Sequence, residues 1–147
     1  MDRRQLITSV GGAVAITVSP LSAFAAQEDV DRARQELFGD RPVQEGRINV
    51  KLPPIAENGF SVALDVSVDS PMTEDDYVKQ LVILSPRNPL PVIGQFYFTP
   101  QSGRAAVSTR IRMSGTQAIQ AVAEMSDGSL WTGSRETVVT LAACVVL

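Results

Sequence analysis

The chain has 147 residues, of which 44% are hydrophobic and 20% charged, with a formal net charge of −3 at pH 7. This length suits one domain, and the lack of a basic block argues against nucleic acid or an anionic membrane as partner. The sequence has no histidine and one cysteine, which excludes Ser-His-Asp and Cys-His catalysis and metal sites built from histidine or several cysteines. We therefore expect neither an enzyme nor a bound metal or other cofactor.

Residues 1–25 are predicted to be an export signal rather than part of the fold. Arg3-Arg4 is followed by Gln5-Leu6-Ile7, which fits the twin-arginine pattern. The apolar run Leu6–Val18 is too short and too weakly hydrophobic to span a bilayer permanently. Ala23-Phe24-Ala25 supplies a small-x-small cleavage site, so we expect a periplasmic protein that starts at Ala26. The alternative is an amphipathic N-terminal anchor.

The first element of the mature chain is a predicted short helix from about Asp29 to Phe38. Val30, Ala33 and Leu37 follow helical spacing, and Gly39 stands where a helix ends. The hydrophobic period then changes from 3.6 to 2, which is typical of half-buried strands. The runs that indicate strands are Ile48–Leu52, Phe60–Val68, Tyr77–Leu84, Val92–Thr99, Arg104–Met113, Gln117–Met125, Ser129–Thr132 and Glu136–Leu141.

Turn residues separate these runs at short intervals, beginning with Pro53-Pro54 and Asn58-Gly59. Asp127-Gly128, between two apolar runs, is the best candidate for a two-residue hairpin. About seven short strands after one helix predict an all-β fold, an immunoglobulin-like antiparallel β-sandwich over residues 26–141. The single cysteine means that this sandwich has no disulfide between its sheets.

Most candidate site residues have an ordinary structural interpretation. Thr73–Asp76 lacks the spacing of a calcium loop and is predicted to be a solvated turn. Arg104, Arg110 and Arg112 share one strand face, which we interpret as solvent-exposed, with an acidic partner as the alternative. Trp131 suits core or interface packing better than a ligand platform.

The carboxylates of Glu124 and Asp127 are out of register for an acid–base pair. Neither residue is therefore predicted to take part in catalysis.

Two interpretations of Cys144 remain open from the residues alone. Residues 142–147, Ala-Ala-Cys-Val-Val-Leu, are apolar throughout, which suits a buried strand end with cysteine as a small hydrophobe. A lone cysteine in an exported protein also suits intermolecular pairing or a free reactive thiol. The cation nearest to it along the chain is Arg135, so no close sequence neighbour activates the thiol.

Several specific stretches, spread over essentially the whole chain, resemble the SoxY family, the sulfur-carrier subunits of the periplasmic thiosulfate-oxidising (Sox) system. The resemblance implies an immunoglobulin-like domain that forms a heterodimer with a second sandwich subunit, SoxZ, and serves other enzymes of that system. It also implies that Cys144 carries the sulfur covalently. The stretches are Pro54–Gly59, Ser70–Thr73, Asp76–Val78, Asn88-Pro89, Phe96–Pro100, Ser102-Gly103, Thr109-Arg110 and Ala121–Gly128.

The tail of residues 142–147 departs from the pattern of the family. The family's carrier arm ends Gly-Gly-Cys-Gly-Gly, whereas Ala142-Ala143 and Val145-Val146 flank Cys144 here, with Leu147 added. Glycines make an arm slim and mobile, and valines stiffen it and add bulk beside the sulfur. We therefore keep an alternative function, a SoxY-like scaffold subunit that retains the partner interface and has lost sulfur carriage.

Overall fold

The computed structural model describes residues 21–143, with side chains from Ala26 onward. Within this range the chain forms one α-helix, nine strands and a short 3-10 helix at Pro100–Ser102. The elements are α1 Leu21–Phe38, β1 Val43–Glu45, β2 Ile48–Lys51, β3 Ile55–Asn58, β4 Val62–Val68, β5 Val78–Leu84, β6 Val92–Tyr97, β7 Ala106–Ile111, β8 Gln117–Met125 and β9 Leu130–Leu141.

The strands form two sheets. One sheet has six strands in the order β1-β9-β8-β5-β6, with β3 also pairing with β9, and the other has three in the order β2-β4-β7. All pairings are antiparallel except those of β1 and β3, which both run parallel to β9. The described residues therefore confirm the predicted immunoglobulin-like β-sandwich preceded by a helix.

The core lies between the two sheets and follows from the alternation of apolar residues. On β4, Val62, Leu64 and Val66 are buried while the residues between them face solvent. They pack in one cluster with residues of the six-stranded sheet such as Leu81 and Ile119, both fully buried. Each such side chain contributes roughly 1.5–3 kcal/mol of burial free energy.

The helix covers the outer face of the six-stranded sheet. Val30, Ala33 and Phe38 of α1 are buried in a second cluster, with Val82 and Val122 among their partners. Strands β5 and β8 are therefore covered on both faces, which explains the nearly continuous apolar run of Val78–Leu84. In residues 21–143 no helix has the length and hydrophobicity needed to cross a membrane.

Several predicted boundaries were wrong. The helix begins at Leu21 rather than Asp29. The predicted runs Ser129–Thr132 and Glu136–Leu141 fall on one strand, β9, which begins at Leu130 and continues through Gly133. A β-carbon at Gly133 would lie 2.8 Å from the Ile48 carbonyl oxygen, so this glycine permits close packing and does not break the strand.

Two short strands and one turn also differ from the prediction. Strands β1 and β3 were missed because each has only three or four residues and pairs in parallel with a distant strand. Asp127-Gly128 does lie in the β8–β9 hairpin, but the connection has four residues, Ser126–Ser129, rather than two. Gly128 N–H donates to the Met125 carbonyl (3.0 Å), and Gly128 has φ 85°, as expected for a turn followed by a glycine bulge.

Candidate functional site

The predicted site residue Cys144 lies outside the described residues, which end at Ala143. Ala143 therefore marks where the chain leaves the described part of the fold. Strand β9 ends at Leu141, and Ala142 and Ala143 are half-buried at the end of the sandwich. We call these two alanines the tail root.

Three backbone hydrogen bonds hold the tail root against the sandwich. The N–H of Gly59 donates to the Leu141 carbonyl (2.7 Å), and the N–H of Met113 donates to the Gly59 carbonyl (2.9 Å). The N–H of Ala143 then donates to the Met113 carbonyl (3.0 Å). Leu141 belongs to the six-stranded sheet and Met113 follows β7 of the other sheet, so these bonds tie the two sheets together. We call this arrangement the tail junction.

The tail junction requires glycine at position 59. A β-carbon there would lie 2.3 Å from the Met113 carbonyl oxygen and 3.2 Å from the Ala143 amide nitrogen. Both are backbone atoms, so no side-chain rotation makes room for it. The preceding Asn58 stabilises the turn, since its Oδ1 accepts a hydrogen bond from the Phe60 N–H at 2.7 Å. The sequence predicted this turn but carried no signal for the packing, whose partners are distant along the chain.

A polar network fixes the neighbouring loop at the same end of the sandwich. Asn88 Oδ1 accepts hydrogen bonds from the Ser114 N–H (3.0 Å) and from Gln117 Nε2 (3.2 Å). Asn88 Nδ2 donates to the Arg112 carbonyl at 2.8 Å. The hydroxyl of the buried Ser85 donates to Gln117 Oε1 at 2.6 Å. The segment just before Met113 is thereby held from a second side.

The fold brings arginines to the tail root that are remote from it in sequence. Arg112 directly precedes Met113, whose carbonyl binds the Ala143 N–H. Arg110 is anchored beside it, because its guanidinium donates to the Ser61 carbonyl at 3.0 Å. Arg135, the nearest cation along the chain, instead lies within β9 opposite Ile119. The separation of residues along the sequence therefore did not predict that Arg112 and Arg110, rather than Arg135, lie on the segments next to the tail root.

The remaining candidates are structural. Thr73–Asp76 forms a turn in which the Thr73 N–H donates to the Asp76 carbonyl at 3.0 Å. Trp131 is half-buried and packs against the core, as predicted, with the Arg47 guanidinium 5.4 Å from its ring centre. Among residues 21–143, no group of three or more acidic or cysteine side chains has the geometry of a metal site.

Glu124 and Asp127 have separate partners rather than each other. Glu124 accepts hydrogen bonds from Arg41 (3.2 Å) and from Gln80 Nε2 (2.8 Å). Asp127 Oδ1 accepts from the Ser129 hydroxyl at 2.6 Å and from the Ser129 N–H at 2.9 Å. These two bonds hold the pKa of the Asp127 carboxyl below its ordinary value.

The family to which the chain belongs follows from its sequence. Residues 34–144 match the family of the sulfur oxidation protein SoxY. The chain belongs to the SoxY family. The match begins within α1, covers the whole sandwich and ends at Cys144. No curated protein matched the chain.

Solved structures agree with the SoxY assignment. The sulfur carrier protein SoxY from Chlorobium limicola f thiosulfatophilum is 32% identical, with a TM-score of 0.67. The match covers 78% of this chain and 99% of that one. A superoxide reductase (neelaredoxin) from Ignicoccus hospitalis, 16% identical, matches with a TM-score of 0.55 over 64% of this chain and 80% of its own. The second likeness shows only that the two proteins share a fold.

The tail root is where this SoxY-family protein departs from the glycine-flanked cysteine that the resemblance implies. Ala142 and Ala143 occupy the two positions before Cys144. Ala143 is hydrogen-bonded to Met113, so the residue next to it in the chain starts from a fixed point. The described part of the chain is therefore held to the sandwich as far as Ala143.

Proposed function

We propose that this SoxY-family protein is a periplasmic sulfur carrier, not an enzyme, that holds thiosulfate-derived sulfur covalently on Cys144. The observation that supports the proposal most directly is that the family match extends to Cys144, the one thiol of the chain. The tail junction adds a structural reason, because it delivers the chain to one end of the sandwich immediately before that residue. No cofactor is needed for this role.

The loading step joins two sulfur atoms. The Cys144 thiol loses its proton and forms an S–S bond with the outer sulfur of thiosulfate, which gives a cysteine S-thiosulfonate. This coupling releases two electrons, and a redox centre of the partner enzyme accepts them. A thiolate is the reactive form of cysteine, and it is favoured beside cations. Arg112 directly precedes Met113, whose carbonyl binds the Ala143 N–H, and Arg110 binds Ser61, so both are cations on segments that adjoin the tail junction.

The protein is expected to work as a heterodimer with a SoxZ-type β-sandwich subunit and to reach the periplasm through the twin-arginine route. An open sandwich leaves strand edges uncovered, and both β6 and β7 are edge strands within the described sheets. A second sandwich subunit would cover such an edge. The signal at Arg3-Arg4 supports export of the folded protein.

A specific observation also favours the alternative, a scaffold subunit that has lost sulfur carriage. Ala143 is tied to Met113, and Val145 and Val146 replace mobile glycines beside Cys144. A short, stiff and bulky tail enters a narrow channel less readily than a glycine arm does. The two functions therefore differ in whether Cys144 is ever loaded.

Intact mass of the complex, purified from cells grown on thiosulfate, tests the carrier function. We expect a mass increment that a reductant removes and that peptide mapping assigns to Cys144. A Cys144→Ser variant is the control and should show no increment. Repeated isolation of unmodified protein from such cells would contradict carriage and favour the scaffold.

Native alkylation and glycine restoration test the tail itself. A small alkylating reagent should reach Cys144 in the folded complex, although slowly. Glycine at positions 142, 143, 145 and 146 should then increase sulfur transfer by the enzymes far more than it changes labelling. The reason is that bulk obstructs a channel more than it obstructs a small reagent. Native protection of Cys144 with no gain in transfer would contradict the carrier.

A further inference from the structure

The two long sides of the sandwich are covered differently. On one side β2 lies against β9, where the Ile48 carbonyl oxygen would be 2.8 Å from a β-carbon at Gly133, and β1 and β3 also pair with β9. On the other side β6 and β7 are the edge strands of the two sheets, and within residues 21–143 each pairs with one strand only. We call this second side the open side.

Apolar side chains that point towards the core stay partly exposed on the open side. Val62, Leu64 and Val66 of the central strand β4 are no more than 2% exposed. On the neighbouring β7, Val107 and Ile111 also pack against the core cluster but are only half-buried. Solvent therefore reaches the layer between the sheets along β7. A partner that covered this strand would complete the burial of that layer.

The backbone of β7 has a row of hydrogen-bonding groups that its own sheet does not use. The N–H of Val68 donates to the Ala105 carbonyl at 2.9 Å, so Ala105 and every second residue after it bond to β4. Such alternation is the rule in an antiparallel ladder. The N–H and carbonyl groups of Ala106, Ser108 and Arg110 therefore point away from β4, towards the open side.

Strand β7 also lacks the features that usually protect an edge strand. Its register with β4 is unbroken over six residue pairs, and it contains neither proline nor lysine. Its one charged side chain, Arg110, bends back to the Ser61 carbonyl at 3.0 Å. On β6, by contrast, a register shift interrupts the pairing with β5 at Ile83/Leu84. An extended chain can add to a regular, unprotected edge through main-chain hydrogen bonds, so β7 is the better strand for such an addition.

Charges on the outer face of the three-stranded sheet are balanced at one end of β7. Asp65 of β4 lies directly opposite Lys51 of β2. Asp69 comes directly after β4, at the end where Arg104 precedes β7. Each of these carboxylates thus has a cation on a neighbouring segment. Arg112 directly follows β7 at the other end, and no ion pair within the described part of the chain involves it.

The exposed carboxylates of the six-stranded sheet lie on the opposite face of the molecule. Glu57 and Glu136 each neighbour a buried residue, Ala56 and Thr137 respectively, so their own side chains point outward from that sheet. The acidic residues of α1 belong to the same outer face, because the helix packs there. Arg112 is therefore the charge that a strand added to β7 would meet at this end.

A second copy of this chain is a poor occupant for the β7 edge. Antiparallel pairing of β7 with itself uses all three outward-facing residues only when Ser108 lies on the two-fold axis. Arg104 of each copy then approaches Arg112 of the other, and like charges opposite each other in a sheet are destabilising. The edge therefore suits a different chain, one with a carboxylate beside Arg112.

We propose that an edge strand of the SoxZ-type sandwich subunit adds to β7. The proposal builds on the heterodimer of the proposed function and assigns that heterodimer a surface. The added strand bonds to the outward-facing backbone groups of β7, covers Val107 and Ile111, and places a carboxylate beside Arg112. A second β-sandwich has edge strands of its own, so this pairing joins one sheet of each subunit into a continuous sheet.

Proline substitutions on the two edges of the open side test the proposal. Ser108→Pro removes an N–H that points away from β4, so β7 should still form, but the proline ring blocks an added strand. The matched control is Gln95→Pro on β6. The N–H of Phe98 donates to the Lys79 carbonyl, so the N–H of Gln95 likewise points away from β5. Circular dichroism shows whether each variant is folded.

The assay measures the affinity of the purified protein for the SoxZ-type subunit of the same organism. Ser108→Pro should weaken this affinity about 100-fold, which corresponds to the loss of about two main-chain hydrogen bonds. Gln95→Pro should leave it within about threefold of the unmodified protein. Arg112→Glu should weaken it about tenfold at low salt and less at high salt, whereas Arg104→Glu should have a smaller effect. This second pair decides if Ser108→Pro does not fold.

The outcomes separate the β7 edge from the proposed function. A heterodimer that is indifferent to a folded Ser108→Pro, or equally weakened by Gln95→Pro, would overturn the edge alone. Self-association of the chain that Ser108→Pro abolishes would assign the edge to a second copy and overturn the proposal. Absence of any heterodimer with the unmodified protein would contradict the proposed partner as well. Cys144→Ser should abolish sulfur loading and leave the heterodimer unchanged.

Discussion

Gly59→Ala is the substitution that should affect the tail junction most directly. The new methyl carbon would lie 2.3 Å from the Met113 carbonyl oxygen and 3.2 Å from the Ala143 amide nitrogen. Carbon and oxygen atoms do not approach to 2.3 Å without a bond, so the backbone has to move apart. The movement separates the segment that follows β7 from the turn that holds the end of β9.

The size of the stability loss follows from the hydrogen bonds that Gly59→Ala weakens. Gly59 makes two of the three bonds in the junction, and the third joins Met113 to Ala143. Each such bond contributes about 0.5–1.5 kcal/mol, so weakening two of them costs about 1–3 kcal/mol. Alanine also lowers the conformational entropy of the unfolded chain, and this effect offsets about 0.4–1 kcal/mol of the loss. The middle values of the two ranges leave a net loss of about 1.3 kcal/mol in the free energy of unfolding.

Urea unfolding measures this loss, and Gly94→Ala is the matched control. A β-carbon at Gly94 would meet the Phe96 ring at 3.0 Å, and that ring is a side chain that can rotate away. The control should therefore stay within about 0.5 kcal/mol of the unmodified protein. Gly59→Ala should also speed native alkylation of Cys144, because it loosens Ala143, whereas Gly94→Ala should not. Equal stabilities for the two variants, with equal alkylation rates, would refute the reasoning.

Three further predictions concern export, the loop network and pH. Changing Arg3 and Arg4 together to lysine should leave unprocessed precursor in the cytoplasm, and undiminished periplasmic protein would rule out the twin-arginine route. Asn88→Ala removes three side-chain hydrogen bonds and should lower the free energy of unfolding, measured in urea, by about 2–3 kcal/mol. Replacing an exposed polar residue by alanine should have a smaller effect. Asp127, with its pKa below 3.8, stabilises the fold above that pH and loses this effect as the pH falls through its folded pKa. The stability difference between the unmodified protein and Asp127→Asn should therefore shrink on acidification below pH 3.8, and a constant difference would contradict it.

The sandwich was predictable because its main strands alternate strictly. The buried residues of β4 recur at every second position, and β8 spans Gln117–Met125 as predicted. Short strands that pair in parallel gave no such signal, so β1 and β3 were missed. Gly133 shows a different limit, since the sequence does not reveal whether a glycine breaks a strand or admits a neighbouring backbone.

The resemblance predicts Cys144 as the site residue, and this stays a prediction because the structure describes residues only up to Ala143. The surroundings of the tail root depend on contacts between residues far apart in sequence. Gly59, Met113 and Ala143 meet only because β3, β7 and β9 end on the same side of the sandwich. Strand direction and register determine this meeting, and local patterns do not specify them.

The anchored tail root changes what a carrier of this kind must provide. In a mobile glycine arm, reach lets the cysteine enter an enzyme while the folded domain stays at a distance. Here the Ala143 N–H is bound by the Met113 carbonyl, so the described chain is held to the sandwich up to the residue before Cys144. An enzyme that acts on Cys144 would therefore have to approach the end of the sandwich that carries the tail junction more closely than a long glycine arm requires.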